Sequence, residues 1–252
     1  MPEVRDLWVD DGVLVRGRSD KHKVAICPRP QSSLDPRWVL PASGNDSAPS
    51  FRMPAVDVYF SADVETDGPI PGPYSMLSFA LVFAGTFDGL KFCRPSSYEK
   101  VFYAELKQIS DDFEIEALEI NGLDRDKLRT AGQSPEVAMT AAHSWVKESA
   151  GGSRPVLVAY PLSFDWAWLY WYFMRYSDAG SPFGHSQCFD LKTAFAVKAH
   201  VPLSEAGRSR VPERLRPTHP HSHHAVDDAV EQAEIFANIF EWGGSFERDQ
   251  SP

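Results

Sequence analysis

Cysteine is scarce in this chain. The three present, Cys27, Cys93 and Cys188, are odd in number and widely spaced, and no Cys-x-x-Cys pair occurs. That usage argues against a disulfide framework and against a cysteine-based zinc site, and it suits a reducing, cytoplasmic compartment. Long apolar runs are missing as well. None approaches the roughly 20 residues that span a bilayer, and the first 20 residues hold no apolar segment of the secretory kind. Positive charge is in deficit: 25 Lys and Arg stand against 35 Asp and Glu, a formal net charge of −10. This excludes a protein held on nucleic acid by a broad basic field. It leaves room for an enzyme that grips a few phosphates locally.

What is present supports a globular core, since 43% of the 252 residues are hydrophobic and that share is ordinary for a folded domain. Residues 1–52 fit poorly with the rest. They contain scattered apolar residues and a linker-like stretch at 41–50, so they are expected to form a weakly structured extension. The domain is expected over 53–243, with a short tail at 244–252. Its first strand covers 56–63, and 76–84 and 99–106 give two more in an antiparallel meander. A helix capped by Ser110, Asp111 and Asp112 is expected to run to Ile120 and stop at Asn121-Gly122. Ser134-Pro135 starts another. Pro155–Tyr160 reads as a buried strand parallel to the first. Phe164–Tyr176 is a helix dense in aromatics, and Ala225–Phe240 is an amphipathic final helix. The pattern predicts an α/β fold: a mixed sheet, antiparallel meander plus parallel strands, with helices on its faces.

The first strand leads to the chemistry. Asp63 and Glu65 lie two apart in Ala62-Asp63-Val64-Glu65-Thr66, so both carboxylates leave one face of an extended backbone. Acids aimed at one spot raise each other's pKa unless a cation sits between them, and hard oxygen ligands suit Mg²⁺ or Mn²⁺. An isolated Asp-x-Glu is more often a solvated pair. Asp165 follows the buried strand in Ser163-Phe164-Asp165-Trp166, where, taken alone, it is more often a helix N-terminal cap than a ligand. His223 and Asp228 lie five apart in His223-His224-Ala225-Val226-Asp227-Asp228-Ala229, with small neighbours that leave room for metal and substrate. A neutral imidazole there can accept a proton from water. His224 and Asp227 are weaker candidates because they lack that spacing. Asp190 is expected to be a cap or a support for the site. Lys198, Arg208, Arg210, Arg214 and Arg216, followed by His219, His221, His223 and His224, form the single basic patch.

In their order, Asp-x-Glu, then Asp, then His-x₄-Asp, these motifs resemble the DEDDh family of 3′→5′ exonucleases, which have a ribonuclease H-like fold. The resemblance covers about residues 56–241. Gly68-Pro69, Phe164-Asp165-Trp166 and Ala225-x-Asp227-Asp228-Ala229-x-x-Gln232-Ala233 extend it. It implies a metal-dependent nuclease acting on single-stranded DNA or RNA 3′ ends with two Mg²⁺ or Mn²⁺ ions. Asp63, Glu65 and Asp228 would hold the first ion, Asp63 would bridge to the second, Asp165 would act partly through water, and His223 would be the general base. Thr66, Met76 and Leu77 are the candidates to contact the terminal nucleotide. Enzymes of this kind are often homodimers, a state the resemblance leaves open here. Two other readings remain: a transition-metal binder using the run His219–His224, and an exonuclease-like domain without activity.

Overall fold

The computed structural model describes residues 9–10, 13–16 and 55–244. The chain runs through β1 (Val9–Asp10), β2 (Val13–Arg16), β3 (Asp57–Thr66), β4 (Met76–Phe87), β5 (Phe92–Cys93) and β6 (Val101–Glu105). Three helices follow: α1 (Ile115–Asn121), α2 (Arg125–Ala131) and α3 (Pro135–Ala150). Then come β7 (Arg154–Ala159), α4 (Leu162–Tyr176), β8 (Cys188–Asp190) and α5 (Leu191–Ala199). Three short 3₁₀ turns between residues 203 and 215 lead to α6 (Ala225–Glu241). The strands form one mixed sheet in the order β1-β2-β6-β4-β3-β7-β8, with β5 on β4. The expected meander is β3-β4-β6, and the expected parallel neighbour of β3 is β7, paired from Asp57↔Arg154 to Ser61↔Val158.

β3 lies near the centre because its residues from Val58 to Ala62 are buried whichever face they point to. One face packs Phe60, Phe79 and Phe102 against Met139 and Val146 of α3 and Trp168, Leu169 and Phe173 of α4. The other packs Tyr59, Val82 and Val158 against Phe195 of α5 and Ala229, Ala233 and Phe236 of α6. Ala225, Ala229 and Ala233 recur every four residues and are fully buried, so α6 presents a smooth stripe on which it can lie close to the sheet. Phe236 follows on that stripe, with its ring centroid 4.8 Å from that of Tyr59.

Several expectations need correction. α1 begins at Ile115, not near 111, and has no side-chain cap at its start. Tertiary bonds claim the preceding segment: Arg125 donates to the carbonyls of Ser110 and Asp111, and the Glu114 amide donates to Asp67 O. Its end at Gly122 (φ 67°) is as expected. α2, β8 and α5 carry too little periodicity to be foreseen. Cys93 is disulfide-bonded, against the expectation from cysteine scarcity, while Cys188 is free and exposed. Within the N-terminal segment, β2 pairs antiparallel with β6 and so adds to the sheet; the rest of that extension lies outside the described residues. No helix among the described residues is long and apolar enough to cross a membrane.

Asp67, immediately beyond β3, ties the loops around the strand end together. Its carboxylate is buried, accepts from the Ser75 amide at 2.5 Å and lies 3.1 Å from Arg125 Nε. Arg125 is itself 9% exposed and caps nothing of its own helix; it bonds across to residues 110 and 111. Removing one partner of a buried ion pair strands the other charge. Arg125→Ala should therefore cost about 3 kcal/mol or more in urea unfolding, whereas Arg129→Ala, which removes an exposed pair, should cost less than about 1 kcal/mol.

Candidate active site

β3 and α6 build the site together. Asp63 and Glu65 project from the same face of β3, near the end at which β7 also terminates. Asp228 lies in the first turn of α6 and is 1% exposed. Ligand oxygens of Asp63, Glu65 and Asp228 all fall within 4.8 Å of one another. Asp165 enters from the first turn of α4, 6% exposed, close enough for its charge to act on Asp63 and Glu65. The Tyr160–Pro161 peptide between β7 and α4 is cis. An open cleft of about 440 Å³ lies over this group, lined by Asp63, Glu65, Asp228, His223, Lys192 and Arg208 among others.

The carboxylates are under electrostatic load. Burial, then the charges of Asp165, Glu65 and Asp228, raise Asp63 well above the usual range, with Arg208 pulling the other way. Burial, then Asp228 and Asp165, push Glu65 up to about 8. Burial pushes Asp165 up to about 7 although backbone amides, including that of Val64, and the charge of Arg208 lower it. Four acids crowded in this way are a donor set that lacks positive charge, and they fit hard divalent cations.

Most of the residues foreseen from the motifs converge here. His223 lines the cleft, exposed, on the segment leading into α6, with backbone φ of 56°. His224 is turned elsewhere, its ring against Tyr103. Asp190 caps α5 through the Lys192 amide. Met76 and Leu77 do not reach the cleft: both side chains are fully buried, with Met76 in the core beside Phe79 and Tyr172. The strand begins at Met76 as expected, but β4 is covered on both faces and so buries the two side chains instead of offering them to the cleft. Thr66 is buried too, donating to Gly68 O at 2.9 Å.

Three contributors were not foreseen as such. Gln232 Nε2 donates to Asp63 Oδ1 at 2.8 Å, and Gln232 Oε1 accepts from the Tyr160 amide at 2.6 Å, so one buried amide links α6, β3 and the end of β7. It lies four residues beyond Asp228 on one helix face, a spacing that could have singled it out. Arg208 bonds Glu231 at 2.9 Å and Tyr160 O at 3.0 Å. His221 Nδ1 lies 2.9 Å from Asp228 Oδ1. No periodicity in the 203–222 segment announces either of these two.

Comparison with known proteins gives concordant results. An Escherichia coli protein, 3′-5′ DNA exonuclease Cap18, is 34% identical over 184 residues, covering 73% of this chain and 91% of the relative. The solved nuclease domain of 3′hExo, a DEDDh family member, bound to rAMP, has a TM-score of 0.56 at 12% identity, with 75% of this chain and 94% of that chain covered. Cell-death related nuclease 4 has a TM-score of 0.56 at 15% identity, covering 75% of this chain and 65% of that one. Identities that low establish the shared fold, which is ribonuclease H-like. No protein-family model matches the chain.

The electrostatic load sets a pH dependence. Carboxyls that titrate near 4 when unfolded but at about 8 for Glu65 and about 7 for Asp165 when folded release protons more readily from the unfolded chain. Stability of the metal-free protein should therefore fall as pH rises from about 4 to about 8. Thermal melts in EDTA at about pH 5 and about pH 8 check this. Asp63→Asn should flatten the slope and gain about 1 kcal/mol at the higher pH, a rise of about 2–4 °C in Tm at this size, and Mg²⁺ should restore wild-type stability there.

Proposed function

The chain belongs to the DEDDh family of 3′–5′ exonucleases, and we propose that it shortens single-stranded 3′ ends by two-metal-ion hydrolysis with His223 as general base. The observation that carries this reading is the meeting of Asp63, Glu65 and Asp228, whose ligand oxygens lie within 4.8 Å of one another although they come from a strand and a distant helix. Asp63, Glu65, Asp228 and Asp165 would hold Mg²⁺ or Mn²⁺, which when bound would polarise the phosphodiester and lower the pKa of the attacking water.

The chain's own residues have separable tasks. His223 lines the carboxylate cleft, where a neutral imidazole can take the proton of the attacking water and return it to solvent. Its exposure suits that exchange. Gln232 holds Asp63 Oδ1 in one orientation, which limits the reorganisation needed before reaction. Arg208 links the Tyr160 carbonyl, beside α4, to Glu231 of α6, and so braces the elements that carry Asp165 and Asp228. Local compensation of charge explains how a chain with a net charge of −10 can engage a polyanion. The Escherichia coli relative is named as a DNA exonuclease, so DNA is the substrate we expect.

Digestion of 5′-labelled DNA and RNA oligomers checks the reading. With Mn²⁺, a ladder shrinking from the 3′ end is expected and EDTA should abolish it. Internal cuts, or indifference to EDTA, would overturn the assignment. Asp228→Asn should remove turnover while the fold is kept. His223→Ala should slow the rate by about 10²–10⁴ and eliminate the rising limb of the pH–rate profile, whereas His224→Ala should change little.

A further inference from the structure

His221 has no task in the hydrolysis described above, yet it stands against the most buried acid of the site. Its Nδ1 is 2.9 Å from Asp228 Oδ1, 3.1 Å from Glu231 Oε2 and 2.8 Å from an Arg208 guanidinium nitrogen. One imidazole nitrogen cannot satisfy all three. Donating to the carboxylates sets it against the guanidinium, and accepting from the guanidinium sets it against the carboxylates. The chain bends sharply at His223 (φ 56°), and the His221 and His223 rings meet edge to face with centroids 4.4 Å apart. Ligand atoms of His221, His223 and Asp228 all lie within 4.8 Å of one another.

We propose that His221, His223 and Asp228 form a second cation site, selective for zinc-like transition ions, whose occupation switches the nuclease off. Two imidazoles and one carboxylate are a donor set that favours Zn²⁺, whereas Mg²⁺ prefers the all-oxygen set of Asp63, Glu65 and Asp228. The two sets share Asp228, so filling one disables the other. The zinc ion takes His223, the expected base, and Asp228, an expected ligand, in a single event. Both histidines are exposed, so the ion can enter from solvent. Arg208 does not bar it, because that guanidinium keeps Glu231 and the Tyr160 carbonyl when His221 turns to the metal. Water completes the coordination.

The inhibition rests on the exonuclease reading, but the binding does not, so the two are measured separately. Untagged, metal-stripped full-length protein is titrated with Zn²⁺ against a chelating dye, and with Co²⁺ to record the visible bands of a low-coordinate imidazole site. Asp63→Asn, which damages the carboxylate set alone, should bind Zn²⁺ like the wild type. His221→Gln should bind it more than about tenfold more weakly, the scale at which even an outer-shell partner is missed. His224→Gln should match the wild type, because its ring packs on Tyr103 outside the set. In Mg²⁺-driven digestion, each protein compared with its own zinc-free rate, the inhibitory Zn²⁺ concentration should rise for His221→Gln by the same factor as its affinity falls. Wild-type zinc affinity in a folded His221→Gln protein, loss of zinc by Asp63→Asn, or equal weakening by His224→Gln would overturn the site. Tight binding without inhibition would overturn the switch. Absence of Mg²⁺-dependent digestion with zinc binding intact would instead count against the exonuclease assignment.

Discussion

Mutual repulsion among four buried or half-buried carboxylates is the constraint on which this molecule is organised. Asp63, Glu65, Asp165 and Asp228 come from β3, α4 and α6, and each is brought closer to the others than isolated acids would settle. Such a cluster opposes folding on its own. It persists because the surrounding structure is over-determined: β3 is hydrogen-bonded on both edges, to β4 and β7, and packed on both faces. Packing on both faces of that strand holds the acids in place against their repulsion.

The supporting contacts follow from the same requirement. Gln232 is fully buried, and both ends of its amide are used, one on Asp63 and one on the Tyr160 backbone. A small-residue stripe on α6 allows the helix to lie close enough for Asp228 to reach the strand's carboxylates. Arg208, delivered by a loop, is the guanidinium that partly offsets the acids in the electrostatics of Asp63 and Asp165. It is already shared with Glu231 and a carbonyl, which leaves its neutralisation of the cluster incomplete.

The histidine run shows how adjacent residues of one type acquire different surroundings. His224 packs on Tyr103, His219 lies 3.3 Å from Asp227, His221 stands on Asp228 and Glu231, and His223 faces the cleft. Composition alone makes these four interchangeable. Their separation comes from the bend at His223 and from the start of α6 immediately after it.

The sheet centre, the long helices and the candidate acids are legible in the sequence, because each has a local signature. Alternating and continuous apolar runs mark β3 and β7, a serine cap and a proline mark the start of α3, and the two-residue and five-residue spacings mark Asp63 with Glu65 and His223 with Asp228. Where α1 begins depends on long-range contacts, because Arg125 and Asp67 hold the preceding residues from afar. The tertiary structure alone buried Met76 and Leu77, since both faces of β4 are covered by elements distant in sequence. It also brought Arg208 and His221 to the acids. Those contacts join residues from separate loops and helices, and their energy depends on distance in space, for which one-dimensional spacing carries no signal.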